Sequence, residues 1–493
     1  MLNLISFLKK QISKYLKILN SAIFVAIIVC FAVPFSGCSE AEQNAETQKS
    51  AINFIDDDGN EINLDKPVEK IISLYSAHTE NLFYLGAGDK VVGGHKTCTY
   101  PPEAAFLEKY DYNGDPEKVI AANPDLVLIR PFIRRKAPDF ISTIENAGIK
   151  VVSLYPDKFD KFDDYINKLA LLTGTEQNAT TLLSDFHNQL DEISKKTADI
   201  SPKQKIFFES TETNIRTVTD DSMAGIAITL AGGENIAKGA TPTEDGSSIA
   251  EFGEEKVLMN ADNIDVYVSQ RGSMNSGASK QGISERAGFD IIKALKNDRF
   301  YTINEKLISS PTFRYVKGVR EIARYLYPDV MNDISQYIND NLATKRDFAN
   351  IVFKMKNLPV FVPSSSSYYQ SEQKGHTFGL FQDVNWKDDD FDAIETSVEF
   401  GYIEWNKDKD NKEYFYPDNN ITRDELAQAI FIMGNFTSND KNTQISDISE
   451  SKHQRIIQIL VDNGVFSLNG GKFEPNRNVT NNEIINAIKV ITG

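Results

Sequence analysis

Short, unbroken apolar runs recur through the first two thirds of the chain, separated by stretches of helical period. The clearest lies at residues 126–129 (LVLI). A run of this length without alternation is the signature of a parallel strand covered on both faces. The residues before it read as a short helix. Asp115 is a capping residue, and Pro116 fits the first helical position, where a missing N–H costs nothing. Glu117 stands in the first turn, beside the positive end of the helix dipole. Asn123-Pro124 stops the helix, because the residue before a proline is pushed out of the α region. Arg130 then comes where the strand runs out, at the carboxyl edge where open α/β sheets bind ligands.

The same alternation surrounds this unit. Residues 70–74 (KIISL), 90–93 and the end of 144–154 (IENAGIKVVSL) are strands, and helices open at Tyr75 and Tyr100. Together they predict a small parallel α/β lobe over 51–158. Residues 160–197 carry a long helical period, broken near Gly174, which predicts a linker helix region over 159–200. A second lobe over 201–330 has strands at 205–209 (KIFFE), 264–269 (IDVYVS) and 299–303, with helices at 222–231 and 315–325. The expected fold class is α/β: two small parallel-sheet lobes joined by one long helix, with a ligand cleft between them.

Beyond Tyr327-Pro328 the alternation stops, and a serine run (364–367) and acidic patches (388–390) appear. Three segments place a threonine just before a helix with an acid three residues on: Thr344 with Asp347, Thr422 with Glu425, and Thr480 with Glu483. That spacing is the capping box. Repetition of a unit unable to bury its own face predicts stacked helical repeats, an all-α domain over 340–493.

At 493 residues the chain exceeds one compact domain, and 41% hydrophobic with 25% charged residues is ordinary for folded protein. A net charge of −17 argues against nucleic acid or an anionic membrane surface as the main partner. The N-terminus is an address. Lys9, Lys10, Lys14 and Lys17 precede an apolar stretch at 22–35, which spans only about 21 Å as a helix, short of the roughly 30 Å of a bilayer core. Ser36-Gly37-Cys38 resembles a bacterial lipobox, with Phe35 where leucine is usual. The resemblance implies a signal peptide over 1–37, lipid on Cys38 and a polar tether over 38–50. A plain secretory signal or an uncleaved anchor is the alternative. Of three cysteines, Cys30 leaves with the signal and Cys38 is lipidated. Cys98 alone remains, so neither an intrachain disulfide nor a cysteine-based zinc site is expected.

The stretches SLYSAHTE, TYPPEA, DPEKVIAANPDLVLI, IENAGIKVVSL, LAGGENIA, EEKVLMNADNIDVYV and SPTFRYVKGVREIARYLYPD stand in an order that resembles the substrate-binding proteins of ABC importers for iron–siderophores, haem and cobalamin. The resemblance implies one glutamate on top of each lobe, Glu117 and Glu255, pairing with arginines of the permease. It implies a metal chelate (siderophore, corrinoid or haem) as ligand, no resident cofactor or metal, and no catalysis. Strand-end loops offer Tyr75, His78, His95, Tyr100, Arg130, Arg134 and Arg135 from the first lobe, and Arg271 and Arg314 from the second. Arginine forks suit an anionic chelate. Tyr100 matches the axial tyrosine of the haem-binding branch, yet Tyr-Pro recurs in branches that bind other ligands.

The C-terminal segments resemble the S-layer homology domain, whose signature Thr-Arg-Ala-Glu stands here as Thr422-Arg423-Asp424-Glu425. That implies a cell-wall polymer contact through Thr422, Arg423 and Glu425; a helical spacer without ligand is the alternative. No nucleophile elbow, P-loop, HExxH helix or dinucleotide fingerprint occurs. The expectation is a lipid-anchored, extracytoplasmic binding protein that delivers a chelate to a permease. The cross-class alternative is a structural envelope protein with a degenerate cleft.

Overall fold

The computed structural model describes residues 52–244, 246–272, 275, 278–363 and 376–492. The signal peptide, the lipidation site at Cys38, the tether up to residue 50 and the serine run at 364–367 lie outside the described residues.

A hairpin, β1 (Ile52–Ile55) and β2 (Glu61–Leu64), precedes the first sheet. Strands β3 (Ile71–Ser73), β4 (Val91–His95), β5 (Glu108–Tyr110), β6 (Leu126–Ile129) and β7 (Lys150–Ser153) pair in parallel in the order β5-β4-β3-β6-β7. The LVLI run is central and fully buried, as its unbroken apolarity requires. Helix α1 (Ser76–Tyr84) follows β3, and the six-residue α2 (Pro116–Ala121) leads into β6, capped by Asp115, whose side chain accepts from the Glu117 N–H.

The linker is two helices, α3 (Phe162–Thr173) and α4 (Glu176–Thr197). Gly174 ends the first in the left-handed conformation (φ +72°), which only glycine adopts cheaply. In the second lobe, β8 (Lys205–Glu209), β9 (Glu234–Asn235), β10 (Val266–Arg271) and β11 (Phe300–Asn304) form a parallel sheet in the order β9-β8-β10-β11. Helix α5 (Met223–Leu230) packs beside it, and α6 (Glu254–Met259) precedes β10 as α2 precedes β6. Helix α7 (Tyr315–Leu326) closes the lobe. One hydrophobic core runs from Leu82 and Leu126 through Phe162 and Phe186 to Ile206, Val266 and Tyr315. Phe186 of α4 lies 4.8 Å from Phe162 and 5.9 Å from Phe313, ring centre to ring centre. The two lobes thus share an apolar spine and are not separate beads on a flexible string.

The C-terminal region is built on α8 (Lys345–Met355), α10 (Arg423–Met433) and α12 (Asn481–Thr492), with α9 (Phe391–Glu399) and α11 (Gln454–Asp462) preceding the last two. Full capping boxes form at Thr344–Asp347 and Thr422–Glu425, and Thr480 and Glu483 exchange backbone bonds likewise. The residues just before the three threonines close a ring. Ala343 N–H donates to Val479 (2.9 Å), Val479 N–H to Ile421 (3.1 Å), and Ile421 N–H to Ala343 (3.1 Å). Three sequence repeats therefore become one pseudo-threefold body. No described helix is long and apolar enough to cross a membrane.

His376 is buried in this body, with Nε2 2.8 Å from Glu395 and Nδ1 2.5 Å from Glu413. Both ring nitrogens face carboxylates, so both must donate, which requires imidazolium. Burial works against the charge, but the bonds to Glu395 and Glu413 outweigh it and raise the pKa to about 9. A raised folded pKa stabilises fully below the unfolded value of about 6.5, and that stabilisation, on the order of 3 kcal/mol, disappears as pH climbs through about 9. Thermal melts of the wild type should therefore weaken between these pH values, and His376→Gln should flatten that slope while lowering the midpoint at pH 6.

Candidate ligand cleft

The two lobes meet along a seam of buried polar contacts. Glu80 of α1 takes both forks of Arg314, at 2.7 and 2.6 Å, with both side chains almost wholly buried. Burial opposes the guanidinium charge, but Glu80 more than offsets it and holds Arg314 protonated, its pKa raised. The guanidinium carbon of Arg314 lies 3.7 Å from the centre of the Tyr100 ring, a cation–π contact. Nearby, Lys306 reaches across to Thr97 O (2.9 Å) and Thr99 Oγ1 (2.8 Å). Burial above all, and then Arg314, push the Lys306 ammonium down to about 8. Asn81 donates to Pro311 O at 2.8 Å, and at the exposed rim of the seam Lys158 pairs with Asp221 at 2.8 Å. The cavity left among Ser76, Glu80, Tyr100, Lys306 and Arg314 is only about 10 Å³, room for one water. A site for a drug-sized ligand needs roughly 300 Å³ or more. At this point of the seam the clamp is shut.

A second cluster forms where the first-lobe strands end. Tyr75 follows β3, Arg130 follows β6 and Tyr155 follows β7, so the parallel register brings all three to one edge. The Arg130 guanidinium carbon stands 4.7 Å from the Tyr75 ring, 4.9 Å from Phe132 and 5.9 Å from Tyr155. Among the described residues, no carboxylate forms an ion pair with Arg130. Burial, and then Tyr155, raise the pKa of the Tyr75 phenol, so it stays a neutral donor. This is a cationic fork held upright by aromatic walls, a shape suited to a planar carboxylate or catecholate.

The other sequence-predicted residues separate by position. His95 stacks on Tyr112 (5.5 Å, 13°) and bonds Thr97 Oγ1 at 2.7 Å. Burial holds its pKa down to about 4. His78 is fully enclosed: Nε2 donates to Ile129 O (3.0 Å) and Nδ1 accepts from Tyr165 (2.8 Å), with burial holding its pKa near 4. It braces the end of β6 from beneath Tyr75. Arg134 points elsewhere, to Asp58 and Glu145, each at 2.9 Å. Arg135 and Arg271 are exposed, and Arg271 ends β10. Tyr100 and Arg314 lie in the seam, closed from solvent. Sequence reasoning missed Glu80, Phe132, Tyr155 and Lys306. For Tyr155 a signal existed, since it follows its strand by two residues just as Tyr75 does.

Glu117 and Glu255 are both exposed, each the second residue of a six-residue helix that feeds a strand of its sheet. A helix entering a parallel strand starts at the carboxyl edge, so both carboxylates stand at matching places at the carboxyl edges of the two sheets. In the C-terminal body, Thr422 and Glu425 are occupied with capping α10. Arg423 lies over Phe473 (4.9 Å) and Phe466 (5.4 Å) and donates to Ser467 O at 2.7 Å. Lys345 takes the equivalent place over Phe415 in the first repeat.

Comparison with known proteins agrees with this architecture. Residues 71–307 match the periplasmic binding protein family model and residues 444–480 the S-layer homology domain. An uncharacterized ABC transporter substrate-binding lipoprotein of Bacillus subtilis, YvrC, is 27% identical over 325 residues, 64% of this chain and 99% of that protein. A vitamin B12-binding protein of Vibrio vulnificus is 26% identical over 52% of this chain and 90% of its own length. A solved structure, a possible iron-binding (periplasmic solute-binding) protein of Staphylococcus epidermidis, aligns with a TM-score of 0.47 at 25% identity, covering 53% of this chain and 100% of that one. The two family-model matches and the sequence relatives define an extracytoplasmic solute-binding protein, which is not an enzyme. The chain carries a periplasmic binding protein domain over residues 71–307, of the kind found in ABC-transporter substrate-binding proteins, followed by an S-layer homology domain.

Proposed function

We propose that this protein captures an anionic metal chelate at the carboxyl edges of its two sheets and delivers it to an ABC permease. The observation that carries the reading is Arg130, a cation that pairs with no carboxylate among the described residues, walled by Tyr75, Phe132 and Tyr155 at a strand end. Siderophores with carboxylate or catecholate groups suit that fork best, while the Vibrio relatives named for vitamin B12 keep cobalamin in the set. Haem through Tyr100 fits less well, because the Tyr100 ring is covered by Arg314. Glu117 and Glu255 are the docking carboxylates, lipid on Cys38 holds the protein at the membrane, and Arg423 contacts wall polymer.

A second reading has its own observation. The seam at Glu80–Arg314 encloses room for a single water, as a structural envelope protein with a degenerate cleft would show. Titration of the folded protein with ferric siderophores, cobalamin and haem separates the two. Saturable micromolar or tighter binding to one class supports capture, and Arg130→Ala should weaken it by about tenfold or more, the worth of a charge-assisted hydrogen bond. Absence of binding to every class favours the structural reading.

Reversing Glu117 and Glu255 to arginine should abolish cellular uptake yet leave chelate affinity and melting temperature unchanged, since exposed charges set docking register and not the fold. Loss of affinity would move both residues into the cleft. Anchoring divides into two measurements. Cys38→Ser should release the protein from the membrane fraction, and Arg423→Ala should reduce its retention on purified cell-wall sacculi.

A further inference from the structure

The C-terminal body touches both lobes, and it does so with different chemistry on each side. Against the second lobe it is continuous with α7. Lys317 pairs with Asp392 at 2.9 Å, Arg324 donates to Phe353 O (3.1 Å) and Leu358 O (3.0 Å), and Val360 N–H donates to Glu321. Against the first lobe the principal contact is one inserted side chain. Trp386 meets Tyr84 edge-to-face at 4.9 Å and Tyr100 at 5.6 Å, and its Nε1 donates to Glu103 at 3.1 Å. The Tyr100 hydroxyl donates in return to Trp386 O at 3.4 Å. Gly379 sets the distance: a Cβ there would fall 2.0 Å from Pro102 Cγ.

These contacts form one chain across the seam. The Trp386 indole backs the Tyr100 ring, the ring carries Arg314, and Arg314 holds Glu80. Tyr100 is therefore packed from the third domain on one side and from the second lobe on the other. Parting the lobes requires the first lobe to leave Arg314 and, because the third domain stays with the second lobe, Trp386 as well.

We propose that the C-terminal domain is a latch across the binding module, and that Trp386 is the positioning residue through which it holds the lobes together. The α7 side is fixed by chain continuity and several hydrogen bonds, so the Trp386 side is the one that releases. The C-terminal domain then governs the opening of the cleft. A carrier whose third domain bridges its halves opens less freely than its binding module alone.

The test needs no ligand, so its outcome is independent of whether any chelate binds. In full-length protein with Cys30→Ser and Cys38→Ser, spin labels are placed at Lys118→Cys and Glu254→Cys, both exposed, while Cys98 is buried. Pulsed electron–electron resonance should give one narrow interlobe distance in this background. Trp386→Ala should broaden that distribution and shift it to longer distances. Glu103→Ala, which takes away the acceptor of the Trp386 indole N–H at an exposed position and leaves every packed ring in place, should shift it the same way and serves if Trp386→Ala does not fold. A narrow, unshifted distribution in a variant whose circular dichroism matches the wild type would overturn the latch.

Discussion

The Glu80–Arg314 pair is the constraint on which the rest of the molecule depends. It joins the first helix of one lobe to the start of the last helix of the other, and both groups are removed from water. Removing one member of such a pair leaves an uncompensated charge and costs about 3–5 kcal/mol, although the intact pair contributes far less net stability. The pair therefore gives the seam its register more than its strength. The lobes can separate only if both charges are rehydrated together, and the Tyr100 ring above Arg314 keeps water from reaching one of them first. Lys306, with its ammonium pushed down to about 8, is the next most expensive group in the same strip.

Around this seam the architecture repeats itself. Each lobe has a parallel sheet, and in each a six-residue helix with an exposed glutamate feeds a buried strand. The shared spine through Phe162, Phe186 and Tyr315 keeps the sheets from drifting apart.

Much of this was legible in the chain, for identifiable reasons. The LVLI strand, the Asp115 cap and the Gly174 break are each set by local chemistry, and they fell where the pattern put them. Three threonine caps likewise announced three helices. What the sequence could not show was pairing at long range. Glu80 reads as an ordinary helix acid until Arg314, more than two hundred residues later, is folded against it. His78 stood beside Tyr75 in a promising loop, but the helical turn carries its ring inward to Tyr165 and Ile129. Trp386 gave no sign at all, because its partners Tyr84, Tyr100 and Glu103 belong to another domain.

The ring of backbone bonds among Ala343, Ile421 and Val479 has a consequence for how this protein comes into being. Without Val479, the Ala343 N–H and the Ile421 carbonyl would be stranded in a region closed to water, at about 1–3 kcal/mol apiece. The first repeat therefore depends on the third: a chain ending before Val479 leaves both groups unpaired, so the three repeats fold as one unit and not one by one.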